Sequence, residues 1–124
     1  MHKTDILVIG GGLAGLVAAI TVREKGWDVL VADKSTPGWA GQVPVSGGNS
    51  MAIPPEDSLD DFVKWAVENG GYLNDQDWTY EFGRRSYRDT LKLAEWGVTL
   101  PVQDGRLQVI PKMKAYKSIQ FSAD

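Results

Sequence analysis

Cysteine is absent from the 124-residue sequence. Disulfides, thiolate metal sites, a cysteine nucleophile and iron–sulfur ligation are therefore excluded from within this chain, and the composition fits a reducing compartment. Histidine is nearly absent: the only one, His2, lies beside the N-terminus and is assigned no role. No metal site is expected. An excess of positive charge is missing too. Thirteen Lys and Arg against 16 Asp and Glu leave a net charge of −3, which gives no electrostatic case for nucleic acid or an anionic membrane as partner. No apolar run approaches the ~20 residues that cross a bilayer. The first apolar stretch is interrupted by glycines and then by Arg23, Glu24 and Lys25, and it lacks a secretory signal pattern. The expected location is cytoplasmic, with membrane attachment only through partner subunits.

Apolar residues make up 43% of the chain, enough for a core in one small domain. The informative stretch comes first. Ile6-Leu7-Val8-Ile9 is an apolar run that stops at Gly10-Gly11-Gly12, and Leu13-Ala14-Gly15 opens an alanine-rich helical pattern. This predicts a buried parallel strand over about residues 5–9, a tight turn, and a helix from about Leu13 to Lys25. Gly10, Gly12 and Gly15 have the G-x-G-x-x-G spacing of a dinucleotide-binding fingerprint. Gly10 permits the sharp turn, Gly12 lets backbone N–H groups approach a pyrophosphate, and Gly15 lets the helix pack closely on the strand. The phosphates would rest on the free N–H groups and positive dipole end of the helix.

Gly26 closes the helix, and Trp27-Asp28-Val29-Leu30-Val31-Ala32 predicts a second, parallel strand ending at Asp33-Lys34. Asp33 lies 18 positions after Gly15, close to the offset of ~20 at which an acid accepts hydrogen bonds from the adenosine ribose. The alternative is a purely structural βαβ turn followed by a coincidental acid.

From Ser35 to about Asp57 no regular pattern holds, and Gly, Pro and Ser dominate. So long an irregular stretch in a compact domain is functional or disordered, and its Val, Trp, Met and Ile content argues against disorder. The segment containing Ala40, Gly41, Gln42, Val43, Ser46, Gly47 and Gly48 is well placed to wrap the rest of a long cofactor; an ordered loop without a ligand is the alternative.

Ser58, with Asp61 three residues on, caps a helix whose apolar stripe is Leu59, Phe62, Val63, Ala66 and Val67. Asp75 or Asp77 caps a second, from about Trp78 to Trp96. Phe82, Leu91, Leu93, Ala94 and Trp96 are its expected buried side chains, and Gly97 is its left-handed C-terminal stop. Arg84, Arg85 and Arg88 suggest an anion site, but Glu81, Asp89 and Glu95 on the same helix favour a solvated, salt-bridged face. The five tryptophans suggest an aromatic-rich core or interface. Residues 98–102 and Leu107-Gln108-Val109-Ile110 are expected to pair about an Asp104-Gly105 turn. From Pro111 the chain is basic and is expected to be irregular, without a further helix or strand pair.

These motifs, in this order, resemble the FAD-dependent oxidoreductases of the succinate dehydrogenase/fumarate reductase flavoprotein family, relatives of which include L-aspartate oxidase and the adenylylsulfate reductase alpha subunit. The resemblance rests on Thr4 through Gly15, Ala19 and Gly26, Ser46-Gly47-Gly48-Asn49, Asp57-Ser58, Gly70-Gly71, the Leu93–Val98 helix end and Asp104-Gly105-Arg106. It implies an α/β fold: the N-terminal part of a Rossmann-like parallel-sheet domain with a helical segment and a short C-terminal hairpin. In that frame residues 1–34 form the dinucleotide-binding unit, 35–57 a flavin-contacting loop, 58–97 two helices and 98–110 a hairpin, together an incomplete FAD-binding domain. The resemblance assigns the fingerprint Gly10, Gly11, Gly12, Leu13, Ala14 and Gly15 to the FAD pyrophosphate, Asp33 to the ribose with Lys34 beside it as a cofactor-binding residue, and Ala40 through Val43 with Ser46 through Gly48 to ribitol and flavin.

Two departures matter. The family usually has Glu where this chain has Asp33, one methylene shorter, so that contact is expected to be longer or water-bridged. The flavin-linking histidine of membrane-bound members would fall near Gly41, so FAD is expected to be non-covalent. The family's catalytic groups have no counterpart in this sequence. A small-molecule substrate, an organic acid or a relative, and the remainder of the flavoprotein or a partner chain are the implied partners. An NAD-binding domain and a non-catalytic flavoprotein-like subunit are the competing readings.

Overall fold

The first strand ends where its apolar run ends. In the computed structural model of the protein, which describes residues 2–113 and 116–120, β1 spans Ile6–Ile9. Gly10 then turns the chain at φ +109°, a conformation that a side chain resists. Helix α1 follows at Leu13–Glu24 and β2 at Val29–Ala32. The two strands are parallel and in register from Ile6↔Val29 to Ile9↔Ala32. Asp5 fastens the start of the pair by accepting the Asp28 N–H at 2.9 Å. These elements belong to the first of two compact units, residues 1–47 and 48–124.

Buried β1 is the first expectation to be corrected. Leu7 is 53% and Ile9 82% exposed, and Ile6 and Leu30 are exposed as well. The sheet of this unit has two strands and α1 packs on it, so only Ala19 of the helix is fully buried. An apolar strand is covered on both faces only when further layers exist.

In the second unit β3 spans Asn49–Ala52, α2 Leu59–Asn69, α3 Gln76–Glu95, β4 Val102–Gln103, β5 Arg106–Leu107, β6 Ile110–Met113 and β7 Tyr116–Gln120. Both helix starts are capped as their side chains predict. Ser58 Oγ accepts the Asp61 N–H at 3.2 Å, and Asp75 Oδ1 accepts the Trp78 N–H at 3.1 Å. Tyr80 on α3 donates its hydroxyl to Asp60 on α2 at 2.8 Å, tying the helices together. Gly97 takes a left-handed φ of +92° just past α3.

Three strand expectations change. Residues 49–52, expected to be irregular, form β3, which pairs antiparallel with β7. The chain beyond Pro111, expected to lack strands, supplies β6 and β7, and the sheet order is β3-β7-β6. Proline reads locally as a strand breaker because it cannot donate a ladder hydrogen bond; β6 is an edge strand with a register shift between Pro111 and Met113, where that loss is tolerated. The hairpin about Asp104-Gly105 exists, but it pairs only Val102↔Leu107 and Gln103↔Arg106.

The inward face of α3 also differs from expectation. Phe82 is 48% exposed, and Leu91, Leu93, Ala94 and Trp96 are only half-buried, whereas Gly83, Ser86 and Thr90 are buried. The reason is steric. A methyl group on Gly83 would lie 2.5 Å from Leu59 Cδ1 and 2.9 Å from the Phe62 ring, so α2 and α3 approach closely at this glycine. Ser86 Oγ accepts the Ile53 N–H at 3.0 Å and donates to the Gly83 carbonyl at 3.1 Å, so the buried hydroxyl is satisfied. Ile53, Phe62, Val63 and Val67 form one core cluster, and Ala52, Leu107 and Ile119 a second. Trp65 packs against the first cluster beside Phe62, and with Trp78 it flanks an open apolar groove of about 490 Å³ with Met51, Phe62 and Phe82.

Adjacent positions on α3 test this face. Gly83→Leu is expected to lower stability by about 1–3 kcal/mol through overpacking, and Arg84→Leu to change it by less than about 0.5 kcal/mol, read from urea unfolding midpoints.

Candidate functional site

Everything at the fingerprint depends on how closely α1 comes to the end of β1. A methyl group on Gly15 would lie 1.8 Å from the Gly10 carbonyl oxygen. That separation leaves no room for any side chain, so Gly15 is required by packing alone. Gly12 differs. It is the N-cap of α1, in an extended conformation that other residues adopt. A methyl group there would meet Gly41 Cα at 3.6 Å and the Ala40 carbonyl at 3.8 Å, both ordinary contacts. Packing therefore tolerates a side chain at Gly12. The N-terminus of α1 has no side-chain cap and no acidic residue in its first turn. No side chain of its own first turn thus compensates its amides and dipole, which suits an anion.

Asp33 stands beside this turn. The Gly11 N–H donates a short hydrogen bond to Asp33 Oδ2, and the Ser35 N–H donates to Oδ1 at 2.7 Å. The Gly11 N–H first, and then the Ser35 N–H, hold the Asp33 carboxyl below its ordinary value of 3.8, with the Lys34 charge a smaller cause in the same direction. The carboxylate is therefore ionised at neutral pH and clasps the fingerprint to the start of the next loop. Each oxygen keeps a second lone pair for a hydroxyl donor.

That loop folds across the turn. Pro37 lies against Gly11, where a methyl group would be 3.0 Å from Pro37 Cα. The Gly38 N–H donates to the Gly11 carbonyl at 3.3 Å, and Gly41, at φ +79°, abuts Gly12. Gly10 through Gly15, Asp33, Ala40 and Gly41 are thus brought together in one unit. Lys34 is exposed there. Gln42 precedes a short 3-10 turn at Val43–Val45, which Ser46 closes by donating its hydroxyl to the Val43 carbonyl at 2.9 Å. Gly47 ends the first unit, and Gly48 begins the second. Pro37, Gly38 and Trp39 were not singled out as site residues. Their signal was the Pro-Gly turn directly after the acid.

A family model for the FAD binding domain matches residues 5–119. The chain belongs to the FAD-binding domain family. Its cofactor is FAD, the Rossmann-like α/β reading holds, and the NAD alternative gives way. The fumarate reductase flavoprotein subunit of Mycobacterium tuberculosis is 36% identical over 110 residues, covering 86% of this chain and 19% of that protein. The L-aspartate oxidase of Pyrococcus horikoshii is 32% identical over 100 residues, or 80% of this chain and 21% of that protein. Two solved structures share the fold over 95% of this chain and 21% of their own: an open-conformation flavocytochrome c3 fumarate reductase, with a TM-score of 0.76 at 23% identity, and an E. coli quinol fumarate reductase variant, with 0.78 at 24%. The chain spans about a fifth of the length of the curated relatives it matches.

The arginines of α3 lie away from these residues in sequence and serve its surface. Arg84 and Arg85 both pair with Glu81, and Arg88 pairs with Asp89 at 2.8 Å. The salt-bridged reading of that face holds.

Two outcomes follow for the glycine turn. Gly15→Ala is expected to destabilise the first unit by about 3 kcal/mol, at the upper end of overpacking costs, measured by urea unfolding. Because Asp33 is depressed in the folded state, its clasp contributes in full above the unfolded value of about 4 and is lost as pH falls through the lower folded value. The stability gap between the native protein and Asp33→Asn is therefore expected to stay constant from neutral pH to about pH 4 and to close in stronger acid, read from thermal unfolding across pH.

Proposed function

We propose that this chain holds the ADP half of FAD, and begins the flavin half, in a flavin-dependent oxidoreductase acting on an organic acid. The observation that carries the reading is the α1 N-terminus: uncapped, free of acidic residues in its first turn, and opening through a glycine that packing does not require. In this reading Gly10 and Gly11, whose N–H groups are held by the Ala32 carbonyl and by Asp33, shape the turn under the pyrophosphate, Gly12, Leu13, Ala14 and Gly15 present backbone N–H groups to it, and Asp33, flanked by Lys34, accepts the ribose hydroxyls. Ala40, Gly41, Gln42 and Val43, followed by Ser46, Gly47 and Gly48, line ribitol and flavin. Bound FAD supplies a centre that takes up and releases an electron pair. The residues of this chain orient it and hold its charge, and the proposal places no catalytic side chain among them.

The organic-acid substrate class is supported by the names of the relatives, which carry fumarate and aspartate. Because each relative is about five times longer than the matched stretch, the proposal assigns the reacting groups to the remainder of a flavoprotein or to a partner chain. Residues 1–34 act as the dinucleotide unit, 35–57 as the flavin-contacting loop, and 58–97 and 98–110 as the helical and hairpin parts of the same FAD-binding domain. FAD is held non-covalently, since the chain's single histidine lies at position 2. Among the described residues no helix is long and apolar enough to cross a membrane. A cytoplasmic location, with membrane attachment only through partner subunits, belongs to the proposal.

The test is a visible spectrum of the purified protein together with calorimetric titration of FAD. Flavin absorption bands and saturable FAD binding are expected; their absence even after FAD is added overturns the reading. Gly12→Ala sharpens it. Stability is expected to remain within about 0.5 kcal/mol of native, while FAD affinity falls by at least about tenfold, a loss of roughly 1.4 kcal/mol.

A further inference from the structure

The loop after Asp33 is fastened unevenly to the fingerprint. At its base the hold is strong: the Asp33 carboxylate takes the Gly11 N–H on one oxygen and the Ser35 N–H, at 2.7 Å, on the other. Bonds of this charge-assisted kind are roughly twice as strong as neutral ones. Beyond Ser35 the chain turns, and the Trp39 N–H donates to the Thr36 carbonyl at 3.0 Å. The tip of that turn is tied to the fingerprint by a neutral bond, from the Gly38 N–H to the Gly11 carbonyl at 3.3 Å. The Trp39 side chain, 79% exposed, adds no anchor there. Two glycines in left-handed conformations give the segment its pivots, Gly38 at φ +86° and Gly41 at φ +79°. A methyl group on Gly38 would meet nothing within 4 Å beyond its chain neighbours, so nothing packs against that pivot.

The placement of the tip decides what it can do. Gly11 is buried, and Pro37 Cα lies 3.0 Å from where a methyl group on Gly11 would be. Gly41 Cα and the Ala40 carbonyl oxygen stand 3.6 and 3.8 Å from where a methyl group on Gly12 would be. That is the side which the second glycine of such a motif keeps clear for a pyrophosphate. We propose that residues 36–41 are a strap that gates the dinucleotide site. It pivots on Gly38 and Gly41, lifts at its weakly held tip to pass the diphosphate, and settles back while Asp33 keeps its base clasped. The inference rests on the FAD-binding reading and adds a moving part to it. Because opening precedes both entry and exit, such a strap sets the rates of binding and release and leaves affinity nearly unchanged.

The experiment measures ADP association and dissociation by stopped flow in the native protein, Gly38→Val and Gly26→Val, with far-UV circular dichroism as the folding control. Valine resists the left-handed backbone that the closed strap requires at position 38, so opening becomes more frequent. Both rates are expected to rise by about 5- to 30-fold, with the dissociation constant within a few fold of native. Gly26 is the matched control: it has φ +88° and equally open space, but it lies at the far end of α1. Gly26→Val is expected to lose stability and keep native ADP rates. Unchanged rates in Gly38→Val overturn the proposal. So does faster release with unchanged entry, the mark of a lost contact instead of a gate, and so does equal acceleration in Gly26→Val. Amide hydrogen exchange of the native protein needs no variant. The protection factor of the Gly38 N–H is expected to lie at least about tenfold below that of the Gly11 N–H and to rise when ADP binds; equal protection of the two amides also overturns the strap. If the native protein binds ADP and FAD while these results fail, only the strap fails. If it binds neither, the reading beneath fails with it.

Discussion

The contact between the first turn of α1 and the Gly10 carbonyl sets the geometry of the first unit. With only 1.8 Å available to a methyl group on Gly15, the helix N-terminus is pressed onto the end of β1, and its amides emerge where the strand stops. The Gly10 N–H donates to the Ala32 carbonyl at 2.8 Å, which joins that turn to the end of β2. Asp33, the next residue, then reaches Gly11. One close packing contact thus places the α1 N-terminal amides and the Asp33 carboxylate beside the same turn. The two glycines of the motif differ: packing requires Gly15 and does not require Gly12.

A negative side chain bound to two backbone N–H groups is an economical way to order such a turn. Neutral donors hold the Asp33 carboxylate ionised, and the carboxylate holds the Gly11 and Ser35 amides in place. The short side chain of Asp suits this clasp, because the carboxylate stays close to the backbone it bridges.

The second unit is ordered by a different device. There α3 turns Gly83, Ser86 and Thr90 inward rather than its larger apolar residues, and Gly83 lets α2 come close. Close approach buries Phe62 to 2% exposure and leaves Phe82, Trp65 and Trp78 along an open groove. In the first unit Leu7, Ile9 and Leu30 are likewise left uncovered. Apolar area of this kind is what a chain covering about a fifth of its relatives' length presents where further layers would pack.

The local signals were legible where the chemistry is local. The glycine spacing, the acid after β2, the Ser58 and Asp75 caps, the Gly97 stop and the Asp104-Gly105 turn each follow from a few neighbouring residues, and each appears in the structure. Non-local pairing was not legible. Asn49–Ala52 has little strand character of its own and becomes β3 because β7, more than 60 residues later, runs beside it; Pro111 looks like a breaker until β6 is seen at an edge. The inward face of α3 was misread because apolar periodicity measures hydrophobicity, while a tight helix contact selects for small volume. By itself, the sequence determined the dinucleotide turn, its acid and the helix ends, since backbone sterics and short-range hydrogen bonds decide those. Only the tertiary structure decided that Asp33 clasps Gly11, that Gly41 closes on Gly12 and that Trp39 stays in the open, because those depend on distances between segments that no local pattern encodes.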